Sequence, residues 1–265
     1  MSTLETSWGK LYFEEIGEGP EVFLIFHGFG QSHQDMLPFV KLIRPGQRFL
    51  FFDMFFHGKS FWQDSSAFLT KVIWKKIVQE ILSQQGITDF HLVGYSMGGK
   101  FSLLTYELFP EKVKSLILLA PDGIKTGVLY NLNSYPSYFH QLFKRVVFKP
   151  QRFFGIMDGL HFAGIVETSL IKFVKTQMQT RSKRAQVYLT WKVFGNIQLS
   201  LGKIIQSAKR EKTAITLFTG KFDKMVTAEN LRPFLTKVPH LKAISLLVGH
   251  GRLIEAAVEF LNRGL

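Results

Sequence analysis

A short apolar run, His91-Leu92-Val93, passes directly into Gly94-Tyr95-Ser96-Met97-Gly98-Gly99 and then into Lys100 to Phe109, a segment with helical spacing. No other feature restricts the fold of this chain as much. A strand, a glycine-flanked serine and a helix in immediate succession require a sharp turn, and the small residues on either side permit it. Such a turn holds the serine side chain out at its apex. A serine hydroxyl is a weak nucleophile that needs this exposure and a neighbouring base. The helix that follows offers free backbone N–H groups to developing negative charge. In isolation the same five residues could be a Gly-rich turn with a helix-capping serine. The strand before and the helix after are what point to Ser96 as a nucleophile.

The rest of the chain supplies the frame for that turn. Leu11 to Glu15 and Val22 to Phe26 are β-rich runs separated by Gly17-Glu18-Gly19-Pro20, which predicts an opening hairpin. Further apolar runs cover Arg48 to Phe52, Phe90 to Val93, Val113 to Ala120, Ala214 to Thr219 and Leu241 to Val248. They alternate with helical segments such as Thr70 to Gln84. This alternation predicts an α/β fold with a mostly parallel sheet covered by helices on both faces. It breaks between about Lys125 and Arg210, where aromatic and basic helix-like stretches contain no convincing strand. The expected organisation is therefore a core over residues 1–124 and 207–265, with a helical, strongly basic cap inserted over 125–206.

Three further positions fit the chemistry of a serine nucleophile. His250 follows the last predicted strand in Leu247-Val248-Gly249-His250-Gly251, a loop setting suited to a general base. Of the eight histidines, His27 and His57 also sit in loop motifs, whereas His33, His91, His140, His161 and His240 lack a comparable strand-end setting. The acid that orients the imidazole is read as Asp223, in the loop after Leu217-Phe218-Thr219-Gly220. Asp122 in Ala120-Pro121-Asp122-Gly123 is its competitor, although Pro-Asp-Gly is also strong turn chemistry. Asp53, at another strand end, precedes the nucleophile and reads as a loop-stabilising residue. An oxyanion needs backbone donors. Phe29, in the His27-Gly28-Phe29-Gly30 loop, and Met97, directly after the serine, are the expected N–H pair.

Together these residues resemble the α/β-hydrolase superfamily, in its cap-containing branch of serine esterases and carbon–carbon hydrolases. His27-Gly28-Phe29-Gly30 is similar to that family's His-Gly oxyanion loop. Asp53-Met54-Phe55-Phe56-His57-Gly58-Lys59-Ser60 resembles its Asp-x-x-x-His-Gly-x-Ser turn. Ser96, Asp223 and His250 occur in the family's order. The resemblance implies a carboxylic ester hydrolase acting through a Ser-His-Asp triad and an acyl-enzyme, with no cofactor and no metal. Serine at position 96 sets the chain apart from relatives that place aspartate there. Two alternatives stay open: a ligand-binding, receptor-like protein that retains the triad, and a lyase like the menaquinone-pathway synthases, whose motif carries a basic residue where Lys100 stands.

Charge and composition bear on partners and location. The net charge is +13. Between Lys125 and Arg210 there are fourteen Lys and Arg against only Asp158 and Glu167, so +12 of that charge belongs to one segment. Tyr138 to Lys149 interleaves aromatic and cationic residues as an amphipathic helix would, and Arg181-Ser182-Lys183-Arg184 adds a basic cluster. The expected partner is a small-molecule ester or acyl substrate, apolar or acyl-lipid-like and open to anionic character. Peripheral contact with an anionic membrane through the basic cap is a second expectation. No nucleic-acid motif accompanies the charge. The chain has no cysteine. Met1 to Glu15 lacks the basic start and apolar stretch of a secretory signal, and no apolar run reaches the roughly 18 residues that cross a bilayer. A cytoplasmic location is expected on those grounds.

Overall fold

The structure is a computed structural model and describes residues 2–64, 67–124, 144–164 and 168–264. In chain order its strands are β1 (Ser2–Thr6), β2 (Gly9–Gly17), β3 (Glu21–Phe26), β4 (Gln47–Phe52), β5 (Phe61–Trp62), β6 (Phe90–Tyr95), β7 (Val113–Leu119), β8 (Ala214–Gly220) and β9 (Lys242–Leu246). Its α-helices are α1 (Lys71–Gln84), α2 (Met97–Leu108), α3 (Gln151–Phe162), α4 (Thr168–Gln177), α5 (Arg181–Phe194), α6 (Leu201–Glu211), α7 (Ala228–Leu235) and α8 (Leu253–Arg263). A 3₁₀ segment spans His33–Leu42.

The strands form one sheet in the order β1-β2-β4-β3-β6-β7-β8-β9, with β5 paired to β2. From β4 to β9 every neighbouring pair is parallel, whereas β1, β2 and β5 pair antiparallel. The predicted α/β sheet is therefore present, but the predicted opening hairpin is not. Leu11–Glu15 and Val22–Phe26 do not pair with each other, because β4 lies between them. The Gly17 to Pro20 turn is consequently wide. Gly17 and Gly19 both have positive φ, and a Cβ on either would collide with backbone at Gly46 and Gln47. The turn thus packs onto the start of β4 instead of closing on itself. The first hairpin is β1–β2, closed at Thr6–Gly9, where the Thr6 hydroxyl donates to the Gly9 carbonyl at 2.8 Å.

Both faces of the sheet are covered, which is why its central strands read as continuous apolar runs. Alternate residues of β3, β4 and β6 separate onto the two faces. Ile25, Phe49, Phe51, Val93 and Tyr95 join Met36, Phe39, Leu253, Ile254, Ala257 and Val258 of the 3₁₀ segment and α8. On the other face Phe26 packs its ring against Trp74 of α1, with centroids 5.9 Å apart, and Trp74 against Phe101 of α2 at 4.8 Å. The fully buried Trp74 keeps its indole N–H bonded to Thr105 Oγ1 at 2.9 Å, so its burial leaves no unmet donor.

Two compact units divide the chain: residues 1–63, 70–125 and 198–265 form one, and residues 64–69 and 126–197 the other. The break falls at 197 rather than at the expected 206. Helix α6 buries Ile204, Ile205 and Ala208 and packs against α2, which draws residues 198–206 into the sheet-bearing unit. Residues 64–69 join the helical unit through the Leu69 N–H, which donates to the Val193 carbonyl at 2.9 Å.

Within the helical unit, α3 packs against α4 and α4 against α5. Arg184, part of the expected basic cluster, is buried there. Its guanidinium donates to the carbonyls of Val147 and Met178 at 2.9 Å and to that of Gln179 at 3.2 Å. It is therefore a structural tie and adds little to the surface field. Of the expected amphipathic stretch Tyr138 to Lys149, residues 138–143 lie outside the described residues and 144–148 are helical. No helix among the described residues is long and apolar enough to cross a membrane.

Candidate active site

Parallel strands that share a register bring their following loops to the same edge of the sheet, the usual location of sites in such sheets. Phe26 of β3 is level with Gly94 of β6, so the His27–Gly30 turn and the Tyr95–Met97 turn leave neighbouring strands side by side. Gly220 of β8 is level with Leu246 of β9, so the loops carrying Asp223 and His250 are likewise adjacent.

Ser96 sits between β6 and α2 at φ 52° and ψ −114°, a strained conformation for a residue with a side chain. Its surroundings hold it there. The Ser96 N–H donates to the Leu119 carbonyl at 2.9 Å, and its own carbonyl accepts from Gly99 and Asp122 at 2.9 Å. The glycines are required by close approach. A Cβ on Gly94 would strike the Ser102 hydroxyl and the Gly98 backbone, and one on Gly98 would strike the Phe26 carbonyl. Those two positions let α2 start directly against the ends of β3 and β6.

The structure brings together three of the expected side chains. Ser96 Oγ lies 3.2 Å from His250 Nε2, and His250 Nδ1 lies 2.6 Å from Asp223 Oδ2. Asp223 is buried, and its other oxygen accepts the N–H groups of Met225 at 2.8 Å and Val226 at 2.9 Å. A carboxylate held by two amides presents its remaining oxygen in a fixed direction, which sets the imidazole with its N–H toward Asp223 and its bare nitrogen toward Ser96. Asp122, the competitor, is elsewhere. Its side chain accepts from its neighbour Gly123 N–H at 2.7 Å and its amide braces Ser96, so it acts as the turn residue that Pro-Asp-Gly suggested. Lys100 lies beside that turn, its aliphatic stem against Gly123, and burial lowers its pKa while Asp122 opposes the shift.

The expected oxyanion donors occupy matching places on the two neighbouring turns. Met97 is the first residue of α2, where an amide has no acceptor within its own helix. Phe29 follows β3 in a turn fixed on both sides of it: Gly28 N–H donates to Gln31 Oε1 at 2.9 Å and Gly30 N–H to His57 Nε2 at 3.0 Å.

Several contributors were not singled out for these roles from the sequence. Tyr95 donates its hydroxyl to the His250 carbonyl at 3.0 Å, with its ring 5.0 Å from the imidazole, and so braces the His250 loop. Burial raises the Tyr95 pKa, keeping the phenol a donor. His27 and His57 tie the Phe29 turn to the 53–60 turn. His27 Nδ1–H donates to Gly28 O at 2.7 Å while its Nε2 accepts from Met54 N–H at 3.0 Å. His57 Nδ1–H donates to Phe55 O at 3.0 Å while its Nε2 accepts from Gly30. Each ring needs one bare nitrogen, and burial supplies it. Burial, then the neighbouring His57, push His27 down to about 3, and burial pushes His57 down to about 4. Asp53 anchors the same turn as expected, accepting from His33 N–H at 2.7 Å and from Lys59 N–H at 2.8 Å.

A chain with this sheet order, this strained serine and these strand-end loops belongs to the alpha/beta hydrolase fold family, whose pattern matches residues 21–164. Over 117 residues it is 31% identical to the dihydrolipoyllysine-residue acetyltransferase component of the acetoin cleaving system of Pseudomonas putida, covering 44% of this chain and 31% of that protein. Over 100 residues it is 31% identical to a Mycoplasma pneumoniae protein named as an esterase/lipase, covering 37% of each. The matched stretches thus span only about a third of these curated relatives. Among solved structures, an alpha/beta hydrolase enzyme from a Medee basin deep-sea metagenome library matches with a TM-score of 0.71 at 17% identity, covering 99% of this chain and 96% of that one.

Proposed function

We propose that the protein is a serine hydrolase acting on carboxylic esters. The observation that carries this reading is the unbroken run of hydrogen-bonding distances from Ser96 Oγ through His250 to Asp223. In the proposed cycle Ser96 Oγ attacks the ester carbonyl carbon as His250 Nε2 takes its proton. The N–H groups of Phe29 and Met97 hold the carbonyl oxygen as it becomes an oxyanion. His250 passes the proton to the departing alkoxide, releasing an alcohol and leaving an acyl-enzyme. Water then attacks the acyl carbon, His250 accepting its proton and returning it to Ser96 Oγ as the carboxylic acid leaves. Asp223 orients the imidazole throughout.

The acyl group is proposed to be apolar or acyl-lipid-like. Supporting this, Phe222 and Leu247, on the two loops that carry Asp223 and His250, are 60% and 73% exposed. Side chains of that kind next to a reacting group favour hydrocarbon over a hydrated substrate. The net charge of +13 favours anionic over cationic esters. The test is labelling by a fluorophosphonate, which reacts with an activated serine, alongside hydrolysis of short-chain esters. Labelling and turnover are both expected, and both should vanish in Ser96→Ala. A folded wild-type protein that is neither labelled nor active would overturn the reading and favour a receptor-like role.

A further inference from the structure

Helix α3 buries none of its twelve residues. Arg152, Gly155, Ile156, Gly159 and Phe162 recur at helical spacing and are all exposed, forming one open arc. Ile156 is 63% exposed and Phe162 is 97% exposed. Gly155 and Gly159 between them have nothing within reach of a Cβ among the described residues, so none of these shields the arc. The one acid of the helix, Asp158, stands at its edge and pairs with Lys175 of α4 at 2.6 Å. A single exposed apolar side chain is ordinary, but two on one uncovered arc call for an occupant.

Charge indicates which occupant. Leaving aside the buried Arg184, the unit of residues 64–69 and 126–197 carries nine Lys and Arg against three Asp and Glu. Elsewhere in it Phe148 is also exposed, with the Arg181 guanidinium 4.5 Å above its ring. Apolar side chains that reach outward on a cationic body are the pattern of interfacial lipid binding: hydrocarbon enters the headgroup–acyl boundary while cations meet phosphates. We infer that α3 docks on an anionic lipid surface, with Ile156 and Phe162 entering the boundary and Arg152 facing the headgroups. This surface is independent of the role assigned to Ser96.

Co-sedimentation of the full chain with vesicles tests it. Binding is expected to vesicles of phosphatidylglycerol in phosphatidylcholine, to weaken as salt is raised, and to be absent with phosphatidylcholine alone. Ile156→Ser/Phe162→Ser should lower the partition coefficient by about tenfold or more, and Arg152→Glu should lower it too. Phe162→Trp should show a blue shift in its fluorescence on adding the anionic vesicles. Undiminished binding by both variants, or no binding by the wild type, would overturn the inference. So would a wild-type dimer that the double variant converts to monomer, because the arc would then serve a second copy of the chain.

Discussion

Asp223 Oδ2 lies 2.6 Å from His250 Nδ1, while Asp122, the other acid at a strand end after Ser96, turns its carboxylate onto its own neighbour Gly123. The two acids therefore predict different kinetics. Asp223→Asn replaces an acceptor by an amide that can turn a donor toward the ring, favouring the wrong tautomer. It should lower kcat for ester hydrolysis by about a thousandfold or more while leaving KM within a few-fold. Asp122→Asn retains its backbone bond to Ser96 and should stay within about tenfold of wild type. Steady-state kinetics of the two variants on one ester decide the assignment, and equal losses would contradict it.

The close approach beneath Ser96 can be tested through stability. Gly98→Ala places a methyl group against the Phe26 carbonyl, between backbone segments that cannot move apart without shifting α2 from β3. Its cost should be at least about 2–4 kcal/mol. Gly251→Ala is the control, since a Cβ there meets nothing within 4 Å among the described residues and its φ is not positive. Urea midpoints should separate the pair clearly, with Gly251→Ala near wild type.

Tyr95→Phe removes the phenol that bonds the His250 carbonyl without changing the volume of the buried ring. The carbonyl keeps the Leu253 N–H but loses the phenol, and the His250 loop gains freedom. Stability should fall by about 1 kcal/mol. If the bond positions the base, kcat should fall and KM hold, with the fluorophosphonate labelling rate falling in parallel. A loss of stability with unchanged labelling would leave Tyr95 a purely structural residue.

Much of this arrangement was legible in the sequence, for identifiable reasons. The central strands are buried on both faces, so β3, β6 and β8 appear as apolar runs, and Ser96, Asp223 and His250 follow strand ends in a readable order. Pairing was less legible. Leu11–Glu15 and Val22–Phe26 look like hairpin partners because turn chemistry between them is strong, yet the interposed β4 comes from a segment 20 residues further along. Nothing local encodes that choice. β1 was not visible because only Leu4 of its five residues is buried. Arg184 read as surface charge, since sequence cannot reveal that three carbonyls converge on it. Tyr95, His27 and His57 act through hydrogen bonds to backbone atoms, which leave no pattern of partner residues to recognise.

The paired histidines predict how stability depends on pH. His27 and His57 have folded-state pKa values of about 3 and about 4, against an ordinary value of 6.5 in the unfolded chain. Depressed values mean that the unfolded state takes up protons first. The contribution of each ring is therefore complete above about pH 6.5 and is lost as pH falls toward the folded value. Between roughly pH 6 and 5 both rings remain neutral when folded and charge when unfolded, so together they should remove up to about 3 kcal/mol of stability per pH unit. Protonating His57 would also end its acceptance of the Gly30 N–H and free the turn that carries Phe29. His57→Gln can keep an acceptor toward Gly30 without a titrating ring. Its unfolding free energy, followed by urea denaturation across this range, should fall about half as steeply as wild type from these two sites. An unchanged slope would mean that His57 does not titrate on unfolding as its burial requires.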